Sequence, residues 1–247
     1  ADVEDGRLKL RGIRYFSELY PSAQYAIPYS VGTTKSMSYK YGYLEINAKM
    51  PFGRGAWPGF WLLSKGALKN NDDKLIYFAE VDIFEVFASE DTVCPNLHKW
   101  RWDQEKYGNK YHSQYSADFF TGNISDGVTG ERKTYKFFNT GNLSNEYHTY
   151  GFKWTPKEMT MDVDGEEYMT FDLTRSFDGR DLEDGMNGMS AFHEPMRILF
   201  NFMIYVADLR NTTQETLVNN ADLPFEYFID YVRLYQIPGE GELNFAD

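Results

Sequence analysis

Apolar and polar side chains alternate along several short stretches of the chain, and helical periodicity is weak throughout. In residues 41–50, YGYLEINAKM, small or apolar side chains occupy the even positions, while tyrosine and polar side chains occupy the odd positions. Because successive side chains of a strand point to opposite faces, this pattern predicts a half-buried strand. Residues 196–206, MRILFNFMIYV, and 225–236, FEYFIDYVRLYQ, are predicted as further strands. Asp164 and Gly165 follow an alternating segment and predict a tight hairpin turn.

The number of short strands in a chain of 247 residues indicates the fold class. No internal repeat, low-complexity run or linker divides the chain, so residues 1–247 are predicted to form a single domain. Residues 99–146 are polar and rich in tyrosine, asparagine and glycine, and we interpret them as long connections around a binding face. Many short strands in one domain of this length indicate an all-β fold, either a β-sandwich or a jelly roll.

One predicted strand, AEVDIFEVF at residues 79–87, carries three carboxylates among apolar residues. Glu80 and Asp82 share a face of a regular strand, but Glu85, five residues after Glu80, would point the other way. A β-bulge at Ile83 and Phe84 would shift the alternation by one residue. All three acids would then share one face, and the apolar residues between them would point to the core. The sequence therefore predicts a bulge that gathers the acids.

Three acids on one strand face can support acid–base chemistry. With the bulge, the Cα atoms of Glu80 and Glu85 would lie roughly 13 Å apart, and their side chains could close much of that gap. Glycoside hydrolases use carboxyl pairs about 5 to 5.5 Å apart for retention or about 6.5 to 9.5 Å apart for inversion, and the sequence is compatible with both. Mutual repulsion predicts a raised pKa for at least one acid, as a general acid requires. A solvated strand face and part of a calcium site are the alternatives.

Composition and charge narrow the choice of partners. Aromatic residues make up 17% of the chain, which favours a surface that stacks on ring-shaped ligands. The formal net charge of −12 disfavours nucleic acid and anionic membranes and is compatible with a neutral substrate. Cys94 is the single cysteine, which excludes an intrachain disulfide and a cysteine-rich zinc site. No stretch predicts a membrane span, and the opening residues, ADVEDGRLKL, do not have the pattern of a signal peptide.

Two tryptophans upstream of the acids favour a carbohydrate ligand. Trp57 and Trp61, in GRGAWPGFWLL, are four residues apart and fall on one face of an extended segment. Indole rings pack against the apolar faces of sugars, so the pair could form a stacking platform beside the acids. The alternative is that both tryptophans belong to the core.

The order of these segments resembles that of family-16 glycoside hydrolases. YGYLEINAKMP, GRGAWPGFWLL, AEVDIFE, YHTYGFKWTP, MDVDG and DYVRLYQ follow the family order, from about residue 40 to residue 236. The E-x-D-x-x-E core resembles the bulged branch of the family, which includes laminarinases, agarases and endo-β-galactosidases. The resemblance implies a jelly-roll β-sandwich of two antiparallel sheets with a concave substrate cleft. It also implies cleavage of β-linked polysaccharides with retention and no required cofactor.

The resemblance also assigns roles to single residues. It implies that Glu80 is the nucleophile, that Glu85 is the general acid/base, and that Asp82 orients the nucleophile. Asp230, in DYVRLYQ, resembles the position at which many members hold a structural calcium. The predicted substrate-binding residues are Trp57, Trp61, His98, Asn47, Trp100 and Asn201.

Three of these residues are predicted to bind substrate because of their positions in the family pattern. Asn47 stands where family members carry arginine, and Asn201 matches an asparagine of the family pattern. His98 resembles a histidine near the acid/base in the bulged branch, although a structural histidine would fit the sequence equally well.

The expected function is that of an endo-acting, retaining glycoside hydrolase on β-1,3-glucan or mixed β-1,3/1,4-glucan. The alternatives are an endo-β-galactosidase acting on a galactan or on O-glycans of the poly-N-acetyllactosamine type, a transglycosylase with the same residues, and a non-catalytic carbohydrate-binding module. A binding module would be expected to have lost one of the acids, and both Glu80 and Glu85 are present. We expect a monomer that is secreted or located at the cell surface or in the periplasm.

Overall fold

The structure, a computed structural model, describes residues 1–16, 24–27, 29–51, 56–66, 68–69, 75–86, 92–103, 135–136, 145–174, 190–204 and 224–245. These residues form strands, turns and one short 3₁₀ helix, Ser190–His193. In chain order, the strands are β1 (Asp2–Glu4), β2 (Arg7–Phe16), β3 (Gln24–Ile27), β4 (Tyr29–Gly32), β5 (Met37–Lys40), β6 (Gly42–Lys49), β7 (Ala56–Ser64), β8 (Leu68–Lys69), β9 (Leu75–Glu85), β10 (Thr92–Asp103), β11 (Tyr135–Lys136), β12 (His148–Trp154), β13 (Glu158–Val163), β14 (Glu166–Asp172), β15 (Met196–Ile204), β16 (Phe225–Tyr235) and β17 (Glu242–Phe245).

The strands form two antiparallel sheets. The first sheet has the order β1-β2-β16-β6-β12-β13-β14, with β3 paired to β2. The second sheet has the order β11-β10-β9-β7-β15-β5-β17, with β4 paired to β15 and β8 paired to β9. Several neighbouring strands, such as β16 and β6 or β7 and β15, come from distant parts of the sequence, as in a jelly roll. The predicted all-β sandwich is confirmed.

The core lies between the two sheets and is rich in aromatic side chains. Tyr150 and Trp154 of β12 face inward from the first sheet, and Phe60 and Phe84 face inward from the second. The rings of Phe84 and Tyr150 meet across the interface, with 4.6 Å between their centroids. Burial of each such side chain contributes about 1.5–3 kcal/mol relative to leaving it exposed. The inner faces of the sheets therefore stabilise the sandwich and fix which face of β9 points outward.

Several local predictions are confirmed by the strands. In β6, the even positions Leu44, Ile46 and Ala48 are fully buried, as the alternation predicts. Asp164 and Gly165 both have positive φ, 52° and 80°, as the predicted hairpin turn requires. The predicted strands at 196–206 and 225–236 correspond to β15 and β16, and residues 205–206 lie outside the described residues.

One prediction needs correction. The connections predicted for residues 99–146 do not begin at residue 99, because β10 continues to Asp103 and pairs with β9 up to that residue. Most of the rest of that segment lies outside the described residues. No helix in the described ranges is both long and apolar enough to cross a bilayer.

Candidate active site

The predicted bulge is present in β9. The ladder between β9 and β7 pairs Phe84 with Phe60 and Asp82 with Trp61, which leaves Ile83 without a partner. The ladder between β9 and β10 shifts register at the same point. Ile83 and Phe84 are both fully buried, although they are adjacent in the chain. The bulge therefore turns two consecutive apolar side chains into the core, as predicted.

As a result, Glu80, Asp82 and Glu85 share the outer face of the second sheet. Single carboxylate oxygens of Glu80 and Asp82 lie within 4.8 Å of each other and of a ring nitrogen of His98. The charges of Asp82 and Glu80 both act on the Glu85 carboxyl. Each acid has neighbours on the adjoining strands. Glu80 pairs with His98, and Asp82 pairs with Trp61 and Asn96. Glu85 pairs with Gly59 and Cys94. The clustering of acids predicted from the sequence is confirmed.

Asp82 is the most deeply buried of the three acids, with 4% of its surface exposed. Burial raises its pKa from the ordinary 3.8 to about 7. Asp82 Oδ2 lies 3.0 Å from His98 Nε2, and the same nitrogen lies 2.8 Å from Asn96 Nδ2. A protonated Nε2 donates to Asp82, whereas an unprotonated Nε2 accepts from Asn96. The position of the proton on the His98 ring therefore decides whether Nε2 bonds Asp82 or Asn96.

Glu85 has a raised pKa for several reasons. Burial is the largest cause, and the charge of Asp82 comes next, so that the pKa rises from 4.5 to about 8. Trp57 Nε1 donates a hydrogen bond to Glu85 Oε1 at 2.9 Å, which opposes this shift. The raised pKa predicted from like charges is confirmed, but burial contributes more than repulsion. Glu85 therefore keeps its proton to a higher pH than an ordinary glutamate does.

Glu85→Gln is expected to stabilise the fold at alkaline pH. Because the pKa of Glu85 is higher in the folded protein, the folded state binds the proton more tightly than the unfolded chain between pH 4.5 and about 8. The free energy of unfolding therefore falls as the pH rises through this window. A neutral glutamine removes this loss. We therefore expect the free energy of unfolding of Glu85→Gln to exceed that of the wild type by about 1–3 kcal/mol at pH 8 and to equal it at pH 4. Thermal and urea unfolding at both pH values would measure the gain.

Glu240→Gln is the matched control, because Glu240 is exposed in a turn. It should change stability little at either pH. An equal stabilisation by Glu85→Gln at pH 4 and pH 8 would contradict the raised pKa of Glu85.

The two tryptophans of β7 both lie on the outer face and are both half-buried. Trp57 Nε1 donates to Glu85, and Trp61 Nε1 donates to Asn201 Oδ1 at 3.0 Å. Gly59 lies between them, and a Cβ atom there would clash with Asn201 Oδ1. The absent side chain therefore leaves room for the Asn201 amide above Gly59, whose other neighbour in the sheet is Glu85. The structure brings Trp57, Trp61 and Asn201 to the face that carries the acids.

Of two further predicted substrate-binding residues, Asn47 is not brought to the site, and the prediction for Trp100 falls on a side chain outside the described residues. Asn47 lies on the outer face of β6, in the first sheet, where its amide is 3.5 Å from Thr149 Oγ1. The core separates this face from the acids, so the prediction for Asn47 is wrong. Trp100 pairs with Phe78 in the ladder between β10 and β9, but its side chain lies outside the described residues.

The described residues do not support calcium at Asp230. Asp230 is an exposed residue at a register shift of β16, and its Oδ1 accepts a hydrogen bond from Arg7 Nε at 3.1 Å. Asp230 therefore has an arginine as its partner in the structure, and calcium at this position stays a prediction. Among the described residues, the group of three side chains that could hold a metal ion is Glu80, Asp82 and His98.

Sequence reasoning missed Asn96 and Gly59 as members of the site. Asn96 precedes His98 by two residues and so shares its strand face, a signal that was available in the sequence. Gly59 lies midway between Trp57 and Trp61, and its importance depends on Asn201, about 140 residues away. The bond from Trp57 to Glu85 likewise joins two strands and has no local signal.

The fold and the site together define a class of protein. A β-sandwich that carries carboxyl groups on the outer face of one sheet, with a raised pKa on one of the glutamates, is typical of glycoside hydrolases. Residues 22–220 match the model of glycosyl hydrolases family 16, and the chain belongs to this family.

The relatives of the chain differ in substrate. The chain is 24% identical over 243 residues to glucan endo-1,3-beta-glucosidase A1 of Niallia circulans, an alignment that covers 95% of this chain and 30% of that protein. It is 24% identical over 215 residues to keratan-sulfate endo-1,4-beta-galactosidase of Sphingobacterium multivorum, covering 86% and 41%. The chain therefore spans less than half the length of either relative.

Solved structures share the fold. The laminarinase catalytic domain of Thermotoga maritima MSB8 superposes with a TM-score of 0.61 at 22% identity, covering 96% of this chain and 80% of that chain.

Proposed function

We propose that this chain is an endo-acting, retaining glycoside hydrolase that cleaves β-1,3-glucan or mixed β-1,3/1,4-glucan by double displacement. The observation that carries the proposal is the bulge, because it places Glu85, with a pKa of about 8, on the same face as Glu80 and Asp82. A protonated carboxyl beside a second carboxyl is the arrangement that glycosidic bond cleavage uses. Substrates of this size favour action outside the cytoplasm, in line with a secreted or surface-located enzyme.

In the first step, the carboxylate of Glu80 attacks the anomeric carbon while Glu85 protonates the departing oxygen. The glycosyl ester bond to Glu80 forms as the glycosidic bond breaks. In the second step, Glu85, now ionised, removes a proton from water, which releases the sugar from Glu80 with retained configuration. Asp82 lies next to Glu80 and His98, where it can orient the nucleophile.

The name of one relative supports the choice of a β-1,3-glucan, and the name of another supports a second candidate. The Sphingobacterium relative is a keratan-sulfate endo-1,4-beta-galactosidase, which favours a galactose-containing glycan as the alternative substrate. A non-catalytic binding module is less well supported, because both glutamates and the raised pKa of Glu85 are retained.

A substrate screen tests the proposal. The protein is incubated with laminarin, barley glucan, agarose, porphyran, keratan sulfate and mucin, and the products are resolved by size. We expect a ladder of oligosaccharides from laminarin or barley glucan, as internal cleavage produces. A ladder from keratan sulfate or mucin alone would favour the second candidate. Binding of a glycan without any products would indicate a binding module.

Trp57→Phe is expected to move the alkaline limb of the pH–activity profile to higher pH. The indole N–H lowers the pKa of Glu85, so its removal raises that pKa and keeps the acid protonated at higher pH. We also expect kcat/KM to fall roughly tenfold, because a hydrogen bond to the acid/base is lost. The profile of kcat/KM against pH measures both effects.

Trp61→Phe is the matched control for Trp57→Phe. It removes an indole donor from the same strand face, but one that bonds Asn201 instead of Glu85. Its alkaline limb should stay in place. Equal displacement of the limb in both variants would show that the bond from Trp57 to Glu85 is not the cause.

A further inference from the structure

The bulge leaves the fully buried Ile83 outside the register of both neighbouring strands. Ile83 has no partner in the ladder to β7 and none in the ladder to β10. A buried carbonyl without a hydrogen bond is unfavourable, because water cannot replace the missing donor. The carbonyl of Ile83 instead accepts a hydrogen bond from the Tyr168 hydroxyl, at 2.6 Å.

Tyr168 reaches Ile83 from the opposite sheet. It lies in β14, at the edge of the first sheet, and is 4% exposed. The hydrogen bond crosses the core and joins residues 85 positions apart. It therefore ties the extra residue of β9 to a strand that belongs to the other layer.

We propose that Tyr168 is a positioning residue for the acid/base, acting through the bulge. The face of β9 on which the Glu85 side chain lies depends on the extra residue at Ile83, two positions earlier. A hydrogen bond that satisfies the Ile83 carbonyl favours the bulged backbone over a regular or shifted one. The inference rests on the proposed function, in which Glu85 is the acid/base, and it adds a residue that never touches the substrate.

Tyr150 offers a matched comparison. It also faces the bulge from the first sheet, since its ring meets that of Phe84, and it is fully buried. Within the described part of the chain, however, its hydroxyl has no hydrogen-bond partner. The variant Tyr150→Phe therefore removes a hydroxyl from the same region of the core but leaves the Tyr168 donor to the Ile83 carbonyl in place.

Tyr168→Phe and Tyr150→Phe are compared with the wild type in two measurements. The first is kcat and KM against pH, well below the unfolding temperature of each protein. The second is titration of the Glu85 side-chain carboxyl by carbon-13 NMR, assigned with Glu85→Gln. In Tyr168→Phe, we expect kcat to fall roughly tenfold or more with KM within about twofold, because the acid is misplaced in the reacting complex.

The pKa of Glu85 should also fall in Tyr168→Phe. A bulge that relaxes lets the carboxyl reach water, which removes part of the burial that raises its pKa. The alkaline limb should then move to lower pH, opposite to the shift expected for Trp57→Phe. Tyr150→Phe should leave kcat, KM, the limb and the titration unchanged.

The outcomes separate this inference from the proposed function. If the wild type cleaves a polysaccharide and Tyr168→Phe has the wild-type kcat and Glu85 titration, the positioning role is overturned and the proposed function stands. If no polysaccharide is cleaved but the Glu85 titration moves in Tyr168→Phe alone, the positioning role stands and the proposed function fails. Equal effects in Tyr150→Phe would also overturn the inference.

A further variant covers the case in which Tyr168→Phe does not fold. 4-Aminophenylalanine at position 168 keeps a donor at the same place, but its N–H is a weaker donor than a phenol. The kcat and the Glu85 titration should then shift in the same direction by a smaller amount. No shift in this folded variant would overturn the role of Tyr168.

Discussion

Replacing Glu80 by glutamine is expected to lower kcat by at least about 10⁴-fold on every substrate. If Glu80 is the nucleophile, no covalent intermediate can form without its carboxylate, whatever the leaving group. Aryl glycosides with good leaving groups should therefore be as inert as the polysaccharide. Initial rates on both kinds of substrate would measure the effect.

The fate of added azide tests the role of Glu80 further. In Glu80→Ala, azide can occupy the space of the carboxylate and attack the anomeric carbon directly, which gives the α-glycosyl azide. Glu45→Gln is the control, since Glu45 lies on β6 in the other sheet and is also half-buried. It should keep wild-type rates. Retained activity of Glu80→Gln on aryl glycosides would contradict the assignment.

Replacing Glu85 is expected to have a large effect that depends on the leaving group. Glu85→Gln should lower kcat on natural polymers by about 10²–10⁴-fold, because the departing sugar oxygen needs a proton. Formation of the glycosyl-enzyme from activated aryl glycosides should be spared, since their leaving groups depart without one. A rapid burst of the aryl alcohol followed by slow turnover would show this difference.

Azide and pH distinguish Glu85 from Glu80. In Glu85→Ala, azide should attack the trapped glycosyl-enzyme and give the β-glycosyl azide. The alkaline limb of the pH profile should disappear in Glu85→Gln, because in the wild type it reports loss of a proton with a pKa of about 8. A β-azide from Glu80→Ala together with an α-azide from Glu85→Ala would show that the two roles are reversed.

These expectations depend on a bulge that could be predicted from residues 79–87 alone. The adjacent apolar pair Ile83 and Phe84 breaks the alternation, and only an inserted residue places the acids on one face and the apolar side chains on the other. The prediction was possible because strand phase is a local property with a period of two residues. The hairpin at Asp164 and the buried face of β6 were predictable for the same reason.

Which sheet a strand joins is not a local property. The alternation in β6 is the same whether its polar face lies beside the acids or on the far side of the core, and the structure places Asn47 on the far side. Similarly, the sequence shows two tryptophans on one face, but not that Trp57 bonds Glu85 while Trp61 bonds Asn201.

The sequence by itself determined the all-β fold, the bulge and the three acids that share a face, because each follows from the period of a strand. Only the tertiary structure decided the pKa values of the acids. Burial, the largest cause of the raised pKa of Glu85 and Asp82, comes from neighbouring strands distant in sequence. The bond that satisfies the bulged carbonyl comes from Tyr168 in the other sheet. Contacts of this kind exist only after the two sheets have packed together.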